Sequence, residues 1–194
     1  MVTNTDSPPP IPRHARMGLS DEEDDLFDTM YDLEALLARE EFPNLKVGGN
    51  WCGQTYTSLD HGTSKFVLGQ SFRFWTSSMV ESPANQKHGY LYVLCKRLIA
   101  LHDPSFTYTC IQVNRNVNTR PHRHATNVGM SYGIGLGDFE GGGLILNADD
   151  PGSTSVHDNR RKFVRFDGGK SHATQPVITG QRFAIIYYTM ASRT

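Results

Sequence analysis

Phe166-Asp167-Gly168-Gly169-Lys170-Ser171-His172-Ala173-Thr174-Gln175-Pro176, followed after three residues by Gly180-Gln181-Arg182-Phe183-Ala184-Ile185-Ile186-Tyr187-Tyr188, is the stretch that decides the fold. It reads as a short strand ending at His172, a turn over Pro176 to Gly180, and a strand starting at Arg182 that returns antiparallel beside the first. Arg182 is thereby expected close to His172. A guanidinium is a rigid fork that grips a carboxylate with two parallel hydrogen bonds. A histidine and an anion-holding arginine are therefore expected to face one site.

Fifty residues upstream of His172 stands Arg120-Pro121-His122-Arg123-His124. His122 and His124 are two apart, so on extended backbone both imidazoles point to one face and reach one ion. Imidazole suits iron, zinc, copper and nickel, and a working metal site needs three protein ligands with positions left open. Taken alone, the segment reads equally as a solvated turn or a phosphate-contacting loop. Asp138 and Glu140, in the turn Gly137-Asp138-Phe139-Glu140-Gly141, are the alternative carboxylate ligands, and that pattern makes them loop residues.

Working outward, the chain from Phe106 on is β-rich: Phe106–Val113, Val128–Leu136, Gly143–Leu146, Lys162–Phe166 and Arg182–Thr189 read as short strands separated by Gly, Asn and Asp. Lys65–Leu68 and Ser71–Trp75 read as strands broken by Gly and Ser. Before them, Ser20 with Glu23 three residues on, acids in the first turn, and Leu26, Met30, Leu33 and Leu37 at helical spacing predict an amphipathic helix. Ser82-Pro83 opens a second helix, which Asp103-Pro104 stops, so it spans 83–102. Two helices and a run of short strands give an α+β fold built on a β-sandwich or jelly roll. Residues 1–19, with Ser7-Pro8-Pro9-Pro10 and Pro12, are expected as a disordered tail. Residues 20–41 are then an acidic helix and 42–194 the β domain.

A chain of 194 residues suits one substantial core. No apolar run approaches the roughly 18 residues that cross a bilayer. Cys52, Cys95 and Cys110 form no CxxC pair, which predicts an intracellular setting, cytoplasm or nucleus. The net charge of -1 hides an asymmetry: residues 1–41 carry eleven acids and three bases, the remainder nine acids and sixteen bases. That balance suits a solvated surface or a polyanionic partner, DNA or RNA. Arg160-Arg161-Lys162, with Arg120 and Arg123, form the expected nucleic-acid surface. Tyr187, Tyr188, Phe163 and Phe166 read as packing residues, Cys95 and Cys110 as buried, and His157 as an exposed loop residue.

The ligand pattern resembles that of the Fe(II)/2-oxoglutarate-dependent dioxygenases: HxD, a distant His, then Arg or Lys about ten residues on. The likeness covers roughly residues 66–190. Gln112-Val113-Asn114-Arg115-Asn116, Pro121 to Asn127, Gly137 to Gly142 and Phe166 to Thr189 make it most similar to the ten-eleven-translocation and J-binding-protein branch of nucleic-acid base oxygenases. The resemblance implies a double-stranded β-helix (jelly roll) with flanking N-terminal helices. It further implies Fe(II) on His122, His124 and His172, and 2-oxoglutarate clamped by Arg182, with Asn127 ordering the metal loop; Asn114 and Asn116 are expected either to help hold the cosubstrate or to sit at a strand end. Ascorbate is a second cosubstrate the resemblance allows, because a green-algal base-modifying enzyme uses it. His124 stands where the family has aspartate, a change that removes a hard oxygen donor and leaves one more positive charge on the centre.

The implied activity is oxidative hydroxylation, by a monomer, of a methyl group on a nucleic-acid base. Two other outcomes are consistent with the sequence. One is an impaired oxygenase that survives as a binding module, His124 being the lesion; the other is an oxygenase acting on protein side chains.

Overall fold

The computed structural model describes residues 20–43, 56–57, 64–73 and 78–191. The tail expected over 1–19, Cys52 and Trp75 lie outside the described residues. In chain order the elements are α1 (Asp21–Leu37), β1 (Tyr56–Thr57), β2 (Ser64–Arg73), β3 (Ser78–Glu81), α2 (Ala84–Lys87), α3 (Gly89–His102), β4 (Cys110–Arg115) and β5 (Asn118–Thr119). Then follow β6 (Asn127–Leu136), β7 (Phe139–Gly141), β8 (Leu144–Leu146), β9 (Ser155–His157), β10 (Val164–Phe166), β11 (His172–Thr174), β12 (Val177–Gly180) and β13 (Phe183–Met190).

Helix α1 begins at a capping box. Ser20 Oγ accepts from the Glu23 N–H at 3.2 Å, and the Ser20 N–H donates to Glu23 Oε2 at 2.8 Å. Met30, Leu33 and Leu37 on its inner face are buried in one cluster with Leu91, Leu94, Cys95 and Leu98 of α3. Each such leucine contributes about 2 kcal/mol by leaving water. The acidic helix therefore shares its core with the β domain.

Both helices cover one face of a six-stranded antiparallel sheet ordered β10-β6-β13-β4-β2-β3. Strand alternation gives that sheet two unlike faces. Phe66, Leu68, Ile111, Val113, Ile134, Leu136, Phe183, Ile185 and Tyr187 form the helix-side core. The alternate positions include Lys65, Gln112, Asn114, Gly133, Gly135 and Ala184, beside the larger apolar Val67 and Ile186. The smaller antiparallel sheets β11-β8-β9, β12-β7 and β1-β5 complete the β portion.

Several expected boundaries move, each for a local reason. Lys65–Leu68 and Ser71 onward form one strand, because Gly69 absorbs a kink at φ +79° where β2 changes partner from β4 to β3. A Cβ at Gly69 would lie 2.6 Å from the Thr109 carbonyl oxygen. The helix expected over 83–102 breaks at His88 (φ -115°, ψ 41°) into α2 and α3. The strand expected from Phe106 starts at Cys110, after an Asp103–Ser105 turn.

The deciding stretch departs most from its reading. His172 opens β11 rather than ending a strand, and Pro176 to Gly180 contains a strand, β12, paired with β7. The strand after Arg182 does not pair with that of His172; β13 enters the six-stranded sheet between β6 and β4. The chain changes sheets at Gly180 (φ +80°), where a Cβ would lie 2.0 Å from the Asp138 carbonyl oxygen. A hairpin reading sees only neighbours in sequence, whereas β12 is captured by a strand forty residues earlier.

Candidate metal centre

His122 and His172 form an antiparallel bridge in which each N–H donates to the other's carbonyl at 3.0 Å. Residues so paired project their side chains to one face. His124 is brought in by its own N–H, which donates to the Gly168 carbonyl at 2.9 Å. The three imidazoles converge: ring centroids are 4.3 Å apart for His122 and His172, 4.9 Å for His122 and His124, and 5.3 Å for His124 and His172. Their ligand nitrogens all lie within 4.8 Å of one another.

The tautomers are set by backbone carbonyls. His122 Nδ1 is 2.8 Å from the Arg120 oxygen and His172 Nδ1 is 2.9 Å from the Lys170 oxygen. A carbonyl can only accept, so each Nδ1 carries the proton and each Nε2 keeps its lone pair. Such carbonyl partners orient metal-ligating histidines. Burial lowers all three imidazoles below the ordinary histidine range, His124 to about 3 and His172 to about 4. Neighbouring positive charge adds to the effect at His124, from His122, His172 and Lys65. Neutral imidazoles with oriented lone pairs fit a first-row divalent ion. Asp138 and Glu140 are exposed and outside this cluster.

Arg182 lies immediately before β13 and is only 4% exposed. Its backbone N–H donates to Asn116 Oδ1 at 2.8 Å, and its carbonyl accepts from the Asn116 N–H at 2.8 Å. Its Nε has no hydrogen-bond partner, and among the described residues no carboxylate pairs with its guanidinium. Its side chain passes Gly142, where a Cβ would lie 2.6 Å from Cδ, and sits 5.7 Å from the Phe139 ring centroid. Burial lowers it well below the ordinary arginine range, to about 10.

Asn114 is buried on the open face of the sheet and accepts from Gln112 Nε2 at 3.0 Å. Asn127 N–H donates to the His124 carbonyl at 3.0 Å, and its amide lies over Gly168, where a Cβ would meet Nδ2 at 2.7 Å. Ser131 Oγ, Asn118 Oδ1 and Asn159 Oδ1 are buried without partners.

The expected basic surface divides. Arg161 donates from Nε and Nη2 to both Glu34 carboxylate oxygens at 2.8 Å, and Glu34 also accepts from the Gly137 N–H at 2.9 Å. Arg161 is thus engaged in fastening α1 to the sheet. Arg160 and Lys162 are exposed, Arg160 with Nη1 3.2 Å from the Phe139 carbonyl. Arg120 is exposed, and Arg123 pairs with Asp149. A hollow of about 540 Å³ is lined by Arg123, Asn147, Asp149, Ser153 and Lys170, and by none of the three histidines. His157 is on strand β9 rather than in a loop, with Nε2 2.9 Å from Ser155 Oγ.

Sequence reading named Asn116 beside Asn114 and missed its role, which is to hold the Arg182 backbone through two hydrogen bonds. It also missed Phe139, because a phenylalanine in a glycine turn is common elsewhere and carries no signal.

No family model matches the chain, and no curated protein matches it in sequence. The chain is similar in fold to the solved structure of NgTET1 in complex with 5mC DNA, at 13% identity and TM-score 0.50, over 89% of this chain and 91% of that one. A Pseudomonas putida prolyl-4-hydroxylase is similar at 13% identity and TM-score 0.48, over 87% and 88%. A 2OG-Fe(II) oxygenase family protein from Burkholderia pseudomallei is similar at 13% identity and TM-score 0.48, over 86% and 81%.

Proposed function

We propose that this chain is an Fe(II)/2-oxoglutarate-dependent oxygenase on a double-stranded β-helix, with His122, His124 and His172 holding the metal and Arg182 the far carboxylate of the cosubstrate. The observation that carries the reading is the Arg182 guanidinium, buried without an anionic partner among the described residues. A buried, uncompensated charge costs several kcal/mol, so such an arginine is kept where a ligand supplies the counter-charge. Two buried asparagines assist: Asn116 fixes the Arg182 backbone, and Asn114 offers its amide to the same space.

Iron, when bound, supplies the redox chemistry that couples decarboxylation of a 2-oxo acid to hydroxylation of a substrate C–H bond. The chain's own part is to orient two Nε2 lone pairs through the Arg120 and Lys170 carbonyls, to shield the site behind Phe139 and Phe166, and to hold the diacid. For substrate we favour a methylated base in DNA or RNA. Arg120, Arg123, Arg160 and Lys162 are the candidate phosphate contacts, whereas Arg161 serves through Glu34. The solved NgTET1 structure contains 5mC DNA, and the shared fold makes a base the first substrate to try.

One feature favours a second reading, that of a binding module. With three imidazoles and no carboxylate, the donor set prefers metals late in the divalent series to iron. Metal analysis with 2-oxoglutarate turnover, run on the chain and on His124→Asp with methylated DNA, RNA and peptide, separates the two. Succinate and hydroxylated base from either form supports the oxygenase. Retained nucleic-acid binding without turnover in both supports the module.

A further inference from the structure

The register of the small sheet runs a row outward from the triad: His122 pairs with His172, His172 with Leu146, and Leu146 with Ser155. Directly paired residues project to one face, so Ser155 faces the same way as those two imidazoles. His157, two residues on, shares that face by the two-residue period of a strand. Its Nε2 lies 2.9 Å from Ser155 Oγ, which brings the ring back onto the row of the triad. That face looks inward. The His172 ring stands 5.3 Å from Phe166, and Phe166 in turn lies 3.4 Å from a Cβ built at Gly133 on the open face of the large sheet. The two sheets therefore face each other across one cleft, and β9, at the edge of the small sheet, is one of its walls.

A second observation falls on the same segment. Asn159, two residues past β9, is 3% exposed, and its Oδ1 has no hydrogen-bond partner among the described residues. A Cβ at Gly135 would lie 3.2 Å from that oxygen, so the Asn159 amide also reaches over the open face. A buried acceptor left unanswered is costly, and a ligand that brings a donor relieves the cost.

The spacing bears on the kind of ligand. Two strand separations put the Ser155 Cα about 10 Å from that of His172. Leu146 stands between them, so along the row a ligand meets the imidazoles, then an apolar step, then a hydroxyl and an imidazole. A six-membered heteroaromatic ring whose methyl group points at the triad spans this interval. It lays its face over Leu146 and carries its far nitrogen and carbonyl to Ser155 and His157. An aliphatic amino-acid side chain ends over Leu146 and offers the pair nothing. The pair is also adaptable: hydroxyl and imidazole share one proton, so one donates outward while the other accepts, in either order.

Resting on the oxygenase reading, we propose that Ser155 and His157 are the base-reading wall of the site, holding the ring nitrogen and carbonyl of a methylated pyrimidine on the side opposite its methyl group, with Asn159 as a further acceptor in the same cleft. The pair supplies specificity and takes no part in the metal chemistry.

Fluorescence-polarisation titration of the full chain loaded with Zn(II) tests this without turnover. The probes are three single-stranded oligonucleotides that differ at one residue: methylcytosine, thymine, and the apolar thymine isostere difluorotoluene, which keeps the ring and the methyl group but not the hydrogen-bonding edge. The unaltered chain is expected to bind both natural bases about three- to tenfold tighter than the isostere, the worth of a neutral hydrogen bond. His157→Leu and Ser155→Ala are each expected to bring that ratio close to one and to leave affinity for the isostere in place. Ser155 is exposed, so its variant keeps the fold even where the larger change at His157 does not. His157→Asn, which restores a donor and an acceptor, is expected to recover part of the ratio. An equal loss for all three oligonucleotides makes the pair structural and overturns the proposal. A ratio that survives both variants, or that the unaltered chain lacks, overturns it as well; 2-oxoglutarate binding by the same Zn(II)-loaded sample, read by calorimetry, then leaves the oxygenase reading standing. Absence of that binding overturns both.

Discussion

Replacing Arg182 by methionine is expected to make the ligand-free protein more stable while removing its response to the diacid. The guanidinium is 4% exposed and has no ion partner among the described residues. Burial lowers it well below the ordinary arginine range, to about 10. At 1.36 kcal/mol per pKa unit, that depression corresponds to about 3 kcal/mol of cost in the folded state at neutral pH. The sign is that of a base depressed by folding: the cost is fully present below the folded pKa and is relieved as pH rises through about 10. Methionine follows the same stem and fills the channel past Gly142 and Phe139 without a charge. In a chain of this length, a gain of about 3 kcal/mol raises Tm by roughly 6–12 °C. The assay is thermal unfolding at pH 7 with and without 2-oxoglutarate. At a hundred times its Kd, the ligand is expected to stabilise the unaltered chain by about 2.7 kcal/mol and to leave the variant unmoved. A variant that melts several degrees lower and is still stabilised by the diacid refutes the reasoning, since Arg182 then has a structural partner.

Three further outcomes are expected. His124→Asp restores a hard oxygen donor and is expected to raise Fe(II) affinity over copper and nickel, read by metal competition, and to raise 2-oxoglutarate decarboxylation; brisk turnover by the unaltered chain that falls in the variant identifies the three-histidine site as the working one. Glu34→Ala leaves Arg161 and the Gly137 N–H without their acceptor and is expected to cost about 2 kcal/mol in chemical denaturation, with a double-mutant cycle against Arg161→Ala showing coupling above about 0.5 kcal/mol; additive effects dismiss the pair as a fastening. Arg123→Ala is expected to lower the slope of log affinity for single-stranded DNA against log salt by about one, and Asp149→Asn, which frees Arg123, to tighten binding; an unchanged slope removes Arg123 from the phosphate surface.

What the sequence made legible follows from how local each cause is. The capping box at Ser20 and Glu23, the buried stripe of α1, and the strands at 127–136 and 183–190 are written in near neighbours, and the structure carries them within one or two residues. The convergence of His122, His124 and His172 was legible through their types and spacing. The partners of those residues were not. Gly180 sends the chain from β12 to β13 because the Asp138 carbonyl crowds it, and a contact across forty residues leaves no local trace. The role of Arg161 was hidden in the same way: three basic residues in a row resemble a phosphate surface until Glu34, more than a hundred residues away, claims the middle one.

The open face of the large sheet also carries a consequence for how such a site can change over generations. Its room comes from side chains that Gly133, Gly135 and Ala184 lack, and the two glycines differ in what surrounds them. A methyl group at Gly135 meets Phe139 at 3.0 Å and Asn159 at 3.2 Å, so growth there disturbs the wall behind it. At Gly133 the sole neighbour within reach among the described residues is Phe166, at an ordinary 3.4 Å. A lineage able to spare one position would find Gly133 the accessible step, trimming the chamber by a methyl group while the backbone stays in place. Gly135 is the position where drift is blocked, and the size of what the chamber admits is inherited through that pair.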